Sequence, residues 1–325
     1  MLRGKSLGVR TDLNNFFAGS FDMADRIESV HGAINMAGKI LEISPNWAPL
    51  VVAEDLLPSG QIHYCDRMPY PWIRDREKSN LDRIKAGLTV MQTDFTWTPG
   101  KKLTECTNQT YDFVVSSHVV EHVPDLLGHM IEISDVLTEK GKYVIVLPNA
   151  DGTGEFFRRK SNDADVVEHF FRGGWSTSPG QNWDYLMNIF KYKETTIRDR
   201  SFSEFERHHT DAEAIQDAFR CLTEYVDVHC WVFSPRTFLE LVERLHQLRL
   251  FPFRVVGLYE SNKRTLDGDC FEFVVELQKV PFEIPIEWGR YVAARRSSKW
   301  FRRKKESFNL GLVQIWKRAL SLIKG

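Results

Sequence analysis

The chain contains no apolar run approaching ~18 residues, the length a membrane-crossing helix needs, so no transmembrane helix is expected. It also has no Cys-x-x-Cys pair. Its five cysteines, Cys65, Cys106, Cys221, Cys230 and Cys270, are scattered, which argues against a disulfide framework and for buried thiols in a reducing cytoplasm. The absence of Gly-x-Gly-x-x-Gly, and of a suitably placed Tyr-Lys pair, weakens a nicotinamide-dependent dehydrogenase reading. Neither sign of charge is in excess: 43 Lys and Arg face 44 Asp and Glu, for a net charge of -1, so a general nucleic-acid-binding surface is not expected. The first residues, MLRGKSLGVRTDLNNFFAGSF, lack the continuous apolar stretch of a secretory signal. No repeat of solenoid period is present. What remains is an ordinary globular composition, 42% hydrophobic and 27% charged over 325 residues, with room for one large or two ordinary domains and a substantial core.

The most informative stretch is YDFVVSSHVVEHVPD, Tyr111 to Asp125. Tyr111 to Val115 is a short, β-branched apolar run and reads as a buried parallel strand. The loop after it carries Ser116, Ser117, His118, Glu121 and His122. Pro124-Asp125 then opens a helical pattern with Leu126, Met130, Ile131 and Leu137, expected to close at Gly141. Lys142 to Leu147 is the next strand. Strand, loop, helix and strand make a right-handed βαβ unit whose polar loop lies at the carboxyl edge of the sheet, where ligands bind in open α/β folds.

Earlier strands repeat the arrangement. Lys39 to Ile43 ends in a turn at Ser44-Pro45-Asn46, and Gln61 to Cys65 ends at Asp66. That spacing suits a nucleoside site in which the second strand's carboxylate accepts hydrogen bonds from both ribose hydroxyls, although an acidic strand end is more often simply solvated. A third strand is expected over Leu88 to Thr93, ending at Asp94 and Phe95, a carboxylate and a ring able to bond and stack an adenine.

These residues resemble the class I S-adenosylmethionine-dependent methyltransferases, within them a branch with an "LEIGP"-type first turn and an "SSHVxEHVPD" fourth loop, associated with glycan and secondary-metabolite gene clusters. The likeness covers about Gly38 to Leu147 and about Tyr225 to Lys279. It implies an α/β, doubly wound Rossmann-like sheet with an antiparallel edge strand, and S-adenosyl-L-methionine as cofactor. It also implies that Glu42, Ser44 and Asn46 approach the methionine end, with Asp66 on the ribose, Asp94 and Phe95 at the adenine, Ser117 beside the cofactor and His118 near the transferred methyl. The chain departs from the family by carrying Ser44 where the first turn has glycine, and no glycine at Asn46 or Ala48. The expected reaction is O-methylation of a glycan or small-molecule acceptor, with His118 as general base and His122 or His229 as the next candidates. The rival is a catalytically silent, cofactor-binding or scaffold protein of the same fold.

His118-Val-Val-Glu121-His122 also matches the inverted zinc-protease pattern, but Pro124 opposes the continuous helix that pattern needs. The ubiquinone-pathway O-methyltransferases and the small-RNA 2′-O-methyltransferases resemble this loop and bind a divalent cation there. That likeness implies a ligand set of His118, Glu121, His122 and His229, against the plainer reading of polar residues lining a pocket.

The expected organisation is a helical lead-in (1–37, with Phe21, Met23, Ile27 and Val30 as apolar positions), a cofactor-binding half (38–150), a helical insert over the acceptor (151–222), the second half of the methyltransferase domain (223–280) and a basic amphipathic tail (281–325). Ser234 and Pro235 start a helix, and Phe253 to Tyr259 with Phe271 to Leu277 close the sheet. In the tail, residues 290–325 combine clustered Arg and Lys with Phe308, Leu312, Ile315, Ala319 and Ile323 at helical spacing. Peripheral membrane contact and docking on protein both fit that pattern.

Overall fold

The computed structural model describes residues 26–78, 84–85, 89–98, 100–172, 176–193, 195–222 and 224–283. Phe21, Met23, Trp175 and the basic tail from residue 284 lie outside them. Strands β1 (Lys39–Ile43), β2 (Gln61–Asp66), β3 (Phe95–Thr96), β4 (Tyr111–Ser117), β5 (Leu137–Pro148), β6 (Phe253–Glu260) and β7 (Glu272–Lys279) form one sheet in the order β3-β2-β1-β4-β5-β7-β6. The first five pair in parallel. β7 is antiparallel to both β5 and β6, so the reversed strand sits just inside the edge.

Strand alternation divides the core between two faces. Leu41, Tyr143, Ile145 and Leu147 join one buried cluster, with Leu127, Met130 and Ile133 of helix α4 (Leu126–Val136) and Phe238, Leu241 and Leu245 of helix α8 (Pro235–Gln247). Ile40, Val115, Val144 and Val146 face the other way, onto Val30 and Ala33 of helix α1 (Arg26–Ala33). Asp125 caps α4 by accepting from Gly128 N–H, and Ser234 caps α8 by accepting from Thr237 N–H, with Pro235 in its first turn.

Two boundaries differ from the sequence expectation. Helix α4 stops at Val136, and the chain enters β5 at once at Leu137. Tyr111 pairs with Leu137 but Phe113 with Lys142, so extra residues bulge out of β5. Gly141 lies in that bulge, where a Cβ would meet Leu137 Cδ2 at 2.8 Å; it does not end a helix. Nor do residues 89–93, the described part of Leu88 to Thr93, form a strand. Met91 N–H donates to Asn46 O (2.7 Å), which draws this stretch toward the first turn, and pairing with β2 begins only at Phe95.

Helix α2 (Tyr70–Glu77) follows β2, and helix α3 (Leu103–Cys106) follows β3, with Leu103 N–H donating to Glu132 of α4 (2.9 Å). After β5 come α5 (Asp163–Arg172), α6 (Pro179–Asn188) and α7 (Asp211–Arg220). Phe157, Phe190, Phe202 and Phe205 pack against one another between them, with ring centroids of Phe190 and Phe205 4.4 Å apart. Gly154 is required there, since a Cβ would stand 2.2 Å from Phe190 O.

Candidate active site

A cleft of about 890 Å³ opens at the carboxyl ends of β1, β2 and β4. Glu42, Ser44, Asn46, Asp66, Ser117, His118 and His122 line it. Asp94 and Phe95 are not among its lining residues. The Asp94 carboxylate instead accepts from Tyr64 N–H (2.7 Å), and Trp97 supplies the aromatic surface, stacked on His129 (centroids 5.2 Å apart).

The first turn keeps glycine-like geometry without glycine. Ser44 has φ 55° and Asn46 φ 46°, left-handed conformations that carry a strain of roughly 1–2 kcal/mol for an L residue and less for asparagine. Backbone bonds hold the turn: Ser44 N–H to Cys65 O (2.8 Å), Ala48 N–H to Pro45 O (3.1 Å), and Asn46 O accepting from Met91. Beneath it, buried Glu42 accepts from Leu50 N–H (2.7 Å) and Val51 N–H (3.1 Å). Burial outweighs those donors and raises its pKa to about 8. Asp66 Oδ1 accepts from Met68 N–H. Asn46 Oδ1 is buried without a hydrogen-bond partner.

The loop after β4 is organised by a different segment. Val120–His122 is a single 3-10 turn, which removes the continuous helix the protease pattern requires. Glu121 O accepts from Cys230 N–H (2.6 Å) and Trp231 N–H (3.2 Å), and the Trp231 indole donates to Val123 O (2.6 Å). These bonds bring His229 edge-on to His122, with centroids 4.5 Å apart. One donor atom from each of Glu121, His122 and His229 falls within 4.8 Å of the others. His122 Nδ1 is bonded to Asp227 (3.0 Å) and His229 Nδ1 to Glu155 (2.9 Å).

Both oxygens of Glu121 are buried without a hydrogen-bond partner. His118 Nδ1 lies 3.3 Å from Glu121 Oε1, and its Nε2 is bonded to Glu272 (2.9 Å). Burial alone would lower the His118 pKa, but the two carboxylates raise it to about 9. The two carboxylates thus favour the charged imidazole, which opposes the proton-accepting role expected of His118 from sequence. Burial would likewise lower His122, and Asp227 raises it.

Several cleft residues escaped the sequence reading: Arg26, Arg67, Trp97, Tyr225 and Asp227. Part of the signal was present. In Tyr225-Val-Asp227-Val-His229 the polar residues alternate with Val226 and Val228, both buried, which marks an extended segment with one polar face. Tyr225 donates to Asp227 (2.9 Å) and stacks on the Arg67 guanidinium, 3.7 Å from its ring centroid.

A family model described as a methyltransferase domain matches residues 23–245, well over half of the chain. The chain belongs to this family. Residues 23–245 form a methyltransferase domain, whose first turn holds Ser44 and Asn46 in left-handed geometry. No curated protein matches its sequence. Among solved structures it is similar to the mitomycin 7-O-methyltransferase (12% identity, TM-score 0.37, 78% of this chain and 53% of that one). It is also similar to a SAM-dependent methyltransferase from Aquifex aeolicus (12%, 0.37, 80% and 90%). A third is the 1,6-didemethyltoxoflavin-N1-methyltransferase of Burkholderia thailandensis, solved with S-adenosylhomocysteine (11%, 0.37, 79% and 80%). The chain spans about half the length of the first. Among the described residues no helix is long and apolar enough to cross a membrane.

Proposed function

We propose that the enzyme methylates a hydroxyl oxygen of a glycan or small-molecule acceptor, at a site where Glu121, His122 and His229 hold a divalent cation. The observation that carries this is the cluster around the buried Glu121 carboxylate, which has His122 and His229 within 4.8 Å as possible co-ligands and His118 Nδ1 3.3 Å from Oε1. Each histidine's Nδ1 is already taken by a carboxylate, which leaves Nε2 to ligate, the arrangement common behind metal-bound imidazoles. A two-histidine, one-carboxylate set suits a divalent transition metal with open positions. Such an ion would orient the acceptor oxygen and lower its pKa.

When bound, S-adenosylmethionine supplies a methyl group activated on sulfur, and its transfer to oxygen leaves S-adenosylhomocysteine. The residues around it mainly bind and orient. Asp66 and Asn46 line the cleft; the Asp66 carboxylate would accept from the cofactor's ribose hydroxyls, and the Asn46 Oδ1, unbonded at the first turn, would accept from its ammonium. Phe170, Tyr225 and Trp97 give the cleft ring-stacking walls suited to a sugar or aromatic acceptor. A second reading uses the same geometry without metal. There the His122–Asp227 pair takes the hydroxyl proton at Nε2, with Asp227 fixing the tautomer.

Calorimetry with S-adenosylmethionine and S-adenosylhomocysteine, in EDTA and with added Mg²⁺, Mn²⁺, Co²⁺ or Zn²⁺, tests both readings. Micromolar cofactor binding that Asp66→Ala abolishes, together with metal binding that Glu121→Gln abolishes, is the expected result. Cofactor binding with no metal bound at any pH would leave the dyad reading and remove the metal.

A further inference from the structure

The segment after β5 buries a charged network that the transfer reaction does not itself use. Arg158 and Glu155 are each 3% exposed. The Arg158 guanidinium is bonded to Glu155 Oε1, to Asp184 Oδ2 of α6 (2.9 Å) and to the backbone carbonyl of His229 (2.9 Å). Its carbon lies 5.1 Å from the Tyr185 ring centroid, and that ring lies 5.5 Å from the His229 ring. The second Glu155 oxygen accepts from His229 Nδ1 (2.9 Å).

Residues 155–185 thus contact His229 at its ring nitrogen, its carbonyl and its ring. Glu155 fixes the ring nitrogen, Arg158 fixes the carbonyl and Tyr185 flanks the ring. Stability does not explain the network, because replacing a buried ion pair by apolar residues is often neutral or stabilising. A guanidinium is suited to the geometric task, since its planar fork reaches the carboxylate that holds the ring and the carbonyl of the same residue.

We propose that Glu155 and Arg158 are positioning residues that lock His229 in the Nδ1–H tautomer and aim its Nε2 at Glu121 and His122. The segment after β5 therefore builds part of the reaction site as well as covering it. This rests on the reading of Glu121, His122 and His229 as a metal site, but it has a readout of its own.

The test uses the full chain and the variants Glu155→Gln, Arg158→Met and Arg158→Lys. Long-range ¹H–¹⁵N correlation of the imidazoles, assigned with His229→Gln, reports the tautomer without metal. Wild type should show His229 as Nδ1–H. Glu155→Gln, whose amide can donate to Nδ1, and Arg158→Met should give a mixed or reversed tautomer. In parallel, Co²⁺ affinity should fall about 10- to 100-fold in both variants, with an altered visible absorption band. Arg158→Lys should fail to restore either property, because a single ammonium cannot hold both partners in the same geometry. S-adenosylhomocysteine affinity should be unchanged in all three and serves as the control for folding. A His229 tautomer that is Nε2–H in wild type, or that stays Nδ1–H in both Glu155→Gln and Arg158→Met, overturns the proposal. If wild type binds no Co²⁺ but the tautomer shifts as expected, positioning stands and the metal reading falls.

Discussion

The two sides of the cleft are held together by different means. On the cofactor side, local backbone bonds fix the first turn, and the Glu42 carboxyl is bonded to N–H groups eight and nine residues further on. On the acceptor side, side chains from four distant stretches meet: His118 to His122, Glu155 and Arg158, Tyr225 to His229, and Glu272. The first is a local structure built by backbone bonds. The second is a charge network that only the complete fold assembles, and it reaches the cleft through His118, His122, Tyr225 and Asp227.

The largest separation between the two sides should come from Asp66→Ala. Losing two charge-assisted hydrogen bonds to the ribose, at roughly 1.5–3 kcal/mol each, weakens S-adenosylmethionine binding by about 100-fold or more in calorimetry. Co²⁺ binding should not change; a parallel loss would mean that the two sides are one cooperative unit.

Glu42 probes the cofactor side by pH. Its carboxyl titrates from 4.5 in the unfolded chain to about 8 when folded, so the folded state keeps a proton that the unfolded state releases between those values. Stability should fall as pH rises through that window, by at most about 1.4 kcal/mol per unit. Chemical denaturation of wild type and Glu42→Gln from pH 5 to 8 should show a shallower fall in the variant, the remaining slope above about pH 6.5 coming from His118.

On the acceptor side, Glu121→Gln removes the buried partner of His118, whose Nδ1 lies 3.3 Å from it. The metal-free variant should be less stable by about 1–3 kcal/mol and should also lose the stabilisation that Co²⁺ gives wild type, both read by thermal melts. A variant more stable in EDTA would show that the His118 contact does not offset the burial of Glu121. The smallest effects belong to the turn. Ser44→Gly should change stability by no more than about 1 kcal/mol, whereas Ser44→Val, β-branched at φ 55°, should lose about 1–3 kcal/mol and weaken cofactor binding.

Legibility in the sequence follows the same division. β1 at Lys39–Ile43 and the start of α8 at Pro235 carry their signals within a few residues, and the structure has them where expected. Gly141 misled because a glycine after an apolar helical pattern reads as a stop, while its real task is a bulge set by pairing between β4 and β5. The third strand was misplaced over Leu88 to Thr93 because strand pairing, not hydrophobicity, decides where β3 begins, at Phe95. His118 was found, but its charge depends on Glu272, 154 residues away, and no spacing rule reaches that far.

By itself the sequence determined the α/β architecture, the sheet edge where the cleft opens and the residues that turn the chain there. Those follow from apolar periodicity, capping and turn chemistry, which act over a few residues. Only the tertiary structure decided which carboxylates meet His118, which histidines gather at Glu121 and which aromatic rings line the cleft. Burial and hydrogen-bond partners set protonation and orientation, and the partners come from segments that folding alone brings together.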